Sequence, residues 1–268
     1  KETVMYYISK RQEMKDAVVH YMSKREEMED TVMYYISRRQ EMKDLLSQIR
    51  QCTICAEHLP LGPRPIIEAS ENSKIIIVGQ APGTKVHQSG VPWDDQSGKK
   101  LREWLGVEET DFYNVDLFGI VPMGFCYPGK GKTGDLPPRK ECAETWHEKV
   151  FQSFSNVELI LLIGTYAQQY FFPKDAKNLT EKVKNYEDFL PKYWPLPHPS
   201  PVNRFWRSRN PWFEEDIIPK LQKRIEEILS LKLLLQTRKN GSVYNPFLLH
   251  LEKEKKHHAV LLNICVIK

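Results

Sequence analysis

Val78-Gly79-Gln80-Ala81-Pro82-Gly83 ends the apolar run Ile75-Ile76-Ile77-Val78. A β-branched run of this length that stops at Gly-x-x-Pro-Gly predicts a buried strand delivering its backbone into a tight, ligand-facing turn. Glycine allows close approach to a planar or anionic group, and proline fixes φ. Downstream, Phe112–Val121, Leu159–Gly164 and Trp194–Pro197 read as further extended segments. Helical spacing appears at Lys99–Leu105 and Thr165–Phe171, and again in a closing helix at Phe213–Leu229. The alternation predicts an α/β fold, three layers α/β/α around a central parallel sheet. Ligands of such sheets sit beyond the carboxyl ends of the strands, where this chain's Gly- and Pro-rich loops fall.

Residues 1–44 follow another rule. The stretch from Glu2 to Lys15 returns fourteen residues later in looser form, and from Asp30 almost intact. Two heptads per repeat predict a repetitive amphipathic helix with its seam at Val4, Tyr7, Arg11, Met14, Val18, Tyr21, Arg25, Met28, Val32, Tyr35, Arg39, Met42 and Leu46. Arginine at every second "a" position must snorkel outward or be paired, so one long helix is expected first and self-association through it second. Residues 45–229 carry the α/β pattern. Residues 230–268 break from it and read as a partly disordered tail with a basic run at Lys253–His258.

With 28% charged and 41% hydrophobic residues, the chain is of the soluble globular class, and its net charge of +4 is compatible with nucleic acid. No run approaches the ~20 apolar residues of a membrane span, so no membrane partner is expected. The charged, helical opening lacks a secretory pattern, and an intracellular setting is expected. Five cysteines in such a chain argue for metal or free thiols over disulfides. Cys52-x-x-Cys55 precedes the first strand, Cys126 lies in a Gly/Pro loop, and Cys142 falls sixteen residues later on the following helix. Four thiolates from two distant segments can converge on one centre. Zinc and a 4Fe–4S cluster both suit four sulfurs, and spacing does not choose between them. Cys265 is left over as an apolar residue.

From about Leu45 to Leu229 the chain resembles the uracil-DNA glycosylase superfamily, closest to its iron–sulfur branches, families four and five. Gly79-Gln80-Ala81-Pro82-Gly83 looks like the first active-site motif, Gly-Glu-Ala-Pro-Gly in family four. Gly90-x-Pro92-Trp93 with Ser97-Gly98 is similar to that family's Gly-x-Pro-Phe…Gly segment. The four cysteines match its cluster-binding arrangement, and Leu162–Ala167 resembles its third strand-to-helix junction. His198-Pro199-Ser200-Pro201 looks like the second motif, with Ser-Pro closer to family one.

The resemblance implies a monofunctional glycosylase that flips uracil or a related deaminated base out of DNA and hydrolyses its N-glycosidic bond. No lysine sits in either motif to form a Schiff base. A structural 4Fe–4S cluster would be held by Cys52, Cys55, Cys126 and Cys142. His198 would hydrogen-bond the base carbonyl as negative charge builds on it. Trp93 would stack on the base, Gln80 would join His198 as a catalytic residue, its backbone contacting the base, and Gly79, Ala81, Pro82 and Gly83 would line the pocket. Ser200, Val202, Asn203, Arg204 and Arg207 would meet DNA, Val202 standing where family one carries a leucine wedge. Three departures are visible. Gln80 replaces the glutamate and cannot act as a general base, which leaves water to be positioned by Asp94 or Asp95, or catalysis to rest on stabilising the leaving base. Pro122 stands where family four has a base-reading asparagine. The loop Pro122–Asp135 is lengthened. Those losses leave two other readings: a catalytically weak nucleic-acid-binding protein of the same fold, and a zinc-stapled enzyme acting on free nucleosides.

Overall fold

The structure, a computed structural model, describes residues 2–132 and 134–240, with side chains over 14–132 and 134–230. The tail's basic run and Cys265 lie outside the described residues.

Four strands, β1 Ile75–Val78, β2 Phe118–Ile120, β3 Leu159–Ile163 and β4 Tyr193–Leu196, form one parallel sheet in the order β2-β1-β3-β4. Every residue of β1 and β3 is buried, which is why their sequences run apolar without alternation. Ile75, Ile77, Leu159, Leu161 and Ile163 face one core, while Ile76, Val78, Ile160 and Leu162 face another. The helices are α1 Glu2–Arg50, α2 Thr84–Ser89, α3 Gln96–Leu105, α4 Glu109–Phe112, α5 Lys140–Cys142, α6 Glu148–Ser153, α7 Thr165–Phe171, α8 Leu179–Lys184, α9 Arg204–Arg209 and α10 Ile218–Asn240. Side chains of α3, α8 and α10 cover the first core; those of α6, α7 and the end of α1 cover the second. The result is the expected α/β/α sandwich.

Local chemistry moves some element boundaries. Phe112 belongs to helix α4, and the extended segment read from it shortens to Phe118–Ile120. Asn114 causes this: its carbonyl accepts from Leu117 N–H at 2.8 Å and its side chain from Asp116 N–H at 3.1 Å, forming a turn ahead of the strand. Helix α3 begins at Gln96, not Lys99, because the Asp95 carboxylate accepts the Gly98 N–H at 2.8 Å and caps it. The residues directly after Gly83 form the short helix α2.

Helix α1 runs on into the domain. Met42, Leu46 and Ile49 are buried and continue the heptad seam into the second core. Farther back, Val32, Met33, Tyr34, Tyr35 and Ile36 are all exposed. Five consecutive positions exceed one turn of helix, so here the apolar residues ring the axis as a band where a stripe was expected. Among the described residues no helix is long and apolar enough to cross a membrane.

From β1 the chain goes first to β2 on one side and then to β3 on the other. The loops leaving β1 and β3 therefore part, and a crevice opens at the carboxyl ends.

Candidate active site

The crevice holds a cavity of about 300 Å³, at the small end of the ~300–1,000 Å³ range of ligand pockets. Five separated stretches meet there: the turn Gly79–Gly83, Trp93 with Asp95, Pro122, Asp135, and the segment from His198 to Asn203. Sequence reasoning reached most of them; Asp135 it missed. Nothing local marks that residue, which enters the cavity because its loop folds back through the Lys130–Asp135 bridge.

Trp93 is held in a costly conformation. Its φ is 58°, the left-handed region that non-glycine residues avoid. Tyr113 Oη donates to the Pro92 carbonyl at 3.0 Å, and the Arg102 guanidinium donates to the Trp93 carbonyl at 3.5 Å. A Cβ on Gly98 would lie 1.7 Å from that same carbonyl oxygen, so only glycine fits. The indole then lies over Gly79, where a Cβ would come within 2.8 Å of the ring, and 5.6 Å from the His198 ring at a 33° tilt. Trp93 remains half-buried, with the ring at the cavity wall.

His198 follows β4 between two buried prolines. The Ser200 N–H donates to its Nδ1 at 3.2 Å, and Asn203 Nδ2 donates to its carbonyl at 2.9 Å. With Nδ1 accepting, the neutral ring carries its proton on Nε2. Burial pushes its pKa down to about 4, against the opposing pull of Asp95. At neutral pH the site therefore contains an uncharged imidazole N–H donor.

Gln80 commits its side-chain amide to the loop, donating to the Leu136 carbonyl at 3.2 Å, while its own carbonyl accepts the Gly124 N–H at 2.9 Å. Of the two neighbouring aspartates, Asp94 is exposed and Asp95 is half-buried at the cavity wall. Pro122 lines the cavity, and its carbonyl pairs with Nε2 of buried His147 at 3.0 Å. No side-chain amide reads a ligand from that residue.

The segment after His198 divides into an inner and an outer side. Ser200 Oγ accepts the Val202 N–H at 3.3 Å and caps a short 3-10 turn. Arg207 turns inward, 3.7 Å from the Glu214 carboxylate and 3.5 Å from the Ser200 carbonyl. Val202, Arg204 and Arg209 are exposed.

The four predicted cysteines line one small cavity with Leu59, Phe125 and Arg139. Cys55, Cys126 and Cys142 are buried and Cys52 half-buried. Burial pushes the Cys126 thiol up to about 11 and Cys142 up to about 12, and the neighbouring thiols add to both shifts. Such a set stays neutral until a cationic group draws the protons off. Among the described residues no three His, Cys, Asp or Glu side chains close on a single-ion site. The sulfurs surround a space without converging on one point.

The model of the family described as the uracil DNA glycosylase superfamily matches residues 67–222. A type-4 uracil-DNA glycosylase of Thermotoga maritima is 27% identical over 160 residues, which cover 58% of this chain and 79% of that protein. A crystal structure of wild-type Pedobacter heparinus SMUG2 aligns at 16% identity and a TM-score of 0.34, over 57% of this chain and 76% of that one.

Proposed function

This chain belongs to the uracil DNA glycosylase superfamily, and from that premise we propose that it hydrolyses the N-glycosidic bond of uracil, or of a related deaminated base, in DNA. The observation that carries the reading is the neutral imidazole of His198 packed beside the Trp93 indole on the wall of a cavity of nucleobase scale.

The flipped base stacks on the Trp93 indole, and the backbone of Gln80 and Ala81 borders its edge. Because Trp93 is already fixed by Gly98, Arg102 and Tyr113, little ordering remains when the base arrives. The glycosidic C–N bond breaks with its electron pair leaving on the base, and His198 Nε2–H donates to the carbonyl oxygen where that charge gathers. A neutral donor suits this step, since it stabilises the anion without first being deprotonated. Water bonds to the anomeric carbon and passes a proton to Asp95. One Asp95 oxygen is held by the Gly98 N–H, which aims the carboxylate and leaves the other oxygen for water.

Cys52, Cys55, Cys126 and Cys142 would hold a 4Fe–4S cluster, whose contribution is to tie the end of α1 to the loop and helix beyond β2. The donor set supports this: four thiols around one space, with Arg139 lining it beside them. Cys126→Ala is expected to abolish the broad visible absorption of the purified protein and to lower Tm by ~5 °C or more. A colourless wild type with bound zinc would reject the cluster.

The activity is tested on a duplex oligonucleotide carrying one uracil, scored as strand scission after alkali. Wild type cleaves it, and Asp95→Asn lowers kcat about 100-fold with KM little changed. The reading fails if wild type releases no base from oligonucleotides containing uracil, hypoxanthine, xanthine or mismatched thymine. Turnover of free deoxyuridine without turnover of oligonucleotides would fail it too.

A further inference from the structure

Val202 lines the cavity and Phe205 follows it three residues on, two large apolar side chains that neither core claims. Val202 is 72% exposed and Phe205 63% exposed. They lie three residues apart on the continuous 3-10 and α-helical segment 201–209, which places them on one side of it. The other side is fastened down: Trp206 Nε1 donates to Thr180 Oγ1 at 2.9 Å, and its indole packs edge-on against Phe213. This segment is therefore a rigid platform. The Arg204 guanidinium sits 4.8 Å from the centre of the Phe205 ring and supports it as a cation against a π face. Arg204 and Arg209 are both exposed beside it, giving the platform a positive edge.

A base that swings out of a duplex leaves a gap, and the stack recloses unless a side chain fills it. Valine ends at its γ-carbons and offers no flat surface. A phenyl ring offers a face on which any base stacks, whatever the sequence. We propose that Phe205, backed by Arg204, is a second nucleobase site: it enters the gap and stacks on the base left unpaired opposite the lesion, with Val202 as the lip of the pocket. This rests on the glycosylase reading, and it assigns the filling of the gap to α9 where the family resemblance points to Val202.

The test uses the full chain and two readouts. The first is the ratio of kcat/KM for uracil in duplex to uracil in single-stranded DNA, because only the duplex has a gap to fill. Phe205→Ala is expected to lower that ratio tenfold or more, on the order of one lost base stack. Phe205→Trp restores it, and Val202→Ala changes it by much less. The second readout does not need turnover. 2-Aminopurine placed opposite a stable abasic residue is quenched on binding wild type and stays bright with Phe205→Ala. A duplex-to-single-strand ratio within twofold of wild type in Phe205→Ala, or a collapse caused by Val202→Ala alone, overturns the proposal. Quenching by a wild type that releases no base would sink the glycosylase reading and leave the stacking site standing.

Discussion

His198→Ala is expected to lose about 100- to 1,000-fold in kcat for base release, the usual cost of removing one preorganised donor from a developing anion. The fold should survive, because the imidazole is held by one backbone hydrogen bond and one ring contact, with the cavity on its open side. The pH dependence separates this role from a merely structural one. Burial lowers the folded-state pKa to about 4 from an ordinary 6.5. Between those values the unfolded chain binds more protons, so this group makes stability rise with pH from about 4 to about 6.5 and adds no further slope above that. Wild-type activity should therefore pass through pH 6.5 without an inflection from His198, and fall only as the pH approaches about 4. His147, also lowered to about 4 by burial, adds to the acid instability from the opposite side of Pro122. Acid unfolding of His198→Ala should lose part of that slope and keep the part due to His147. An activity loss smaller than tenfold, or a wild-type inflection near 6.5, would remove His198 from the reaction as described.

Gly98→Ala tests the other half of the site without touching a functional group. Its Cβ would lie 1.7 Å from the Trp93 carbonyl oxygen and 2.6 Å from the carbonyl carbon, both of them backbone. Unlike the end of a flexible side chain, that peptide cannot swing away, since Trp93 is already in the left-handed region and bound by Arg102. Either α3 unwinds at its first turn, losing the Asp95 cap, or Trp93 moves off Gly79. Both routes cost about 2–4 kcal/mol and should lower Tm by roughly 5–15 °C. Any folded fraction should be at least tenfold less active, since indole and carboxylate shift together. Gly62→Ala is the control: it too sits at positive φ, 76°, but nothing lies within 4 Å of its added Cβ. Its cost should stay near 1 kcal/mol with activity kept. Equal melting of the two variants would show that crowding at Trp93 does not matter.

The sheet was legible before any coordinates. Strands covered on both faces have no reason to alternate, so Ile75–Val78 and Leu159–Ile163 announce themselves as unbroken apolar runs. The glycines and prolines that end them mark the turns around the cavity for the same local reason, backbone freedom and backbone restriction. The cysteine spacing likewise needed only the chain order.

Contacts between distant loops were not legible. That Asp95 and not Asp94 reaches the cavity depends on which carboxylate caps α3. The tautomer of His198 depends on the Ser200 N–H bending back to Nδ1. Arg207 and Trp206 look like their exposed neighbours in the sequence, yet Glu214 and Thr180 draw them inward, leaving Phe205 and Arg204 outside. Spacing along a chain sets the period of an element and the chemistry of its turns. Which side chain faces which across a crevice is decided only when β1, with neighbours on both sides, parts the loops above it.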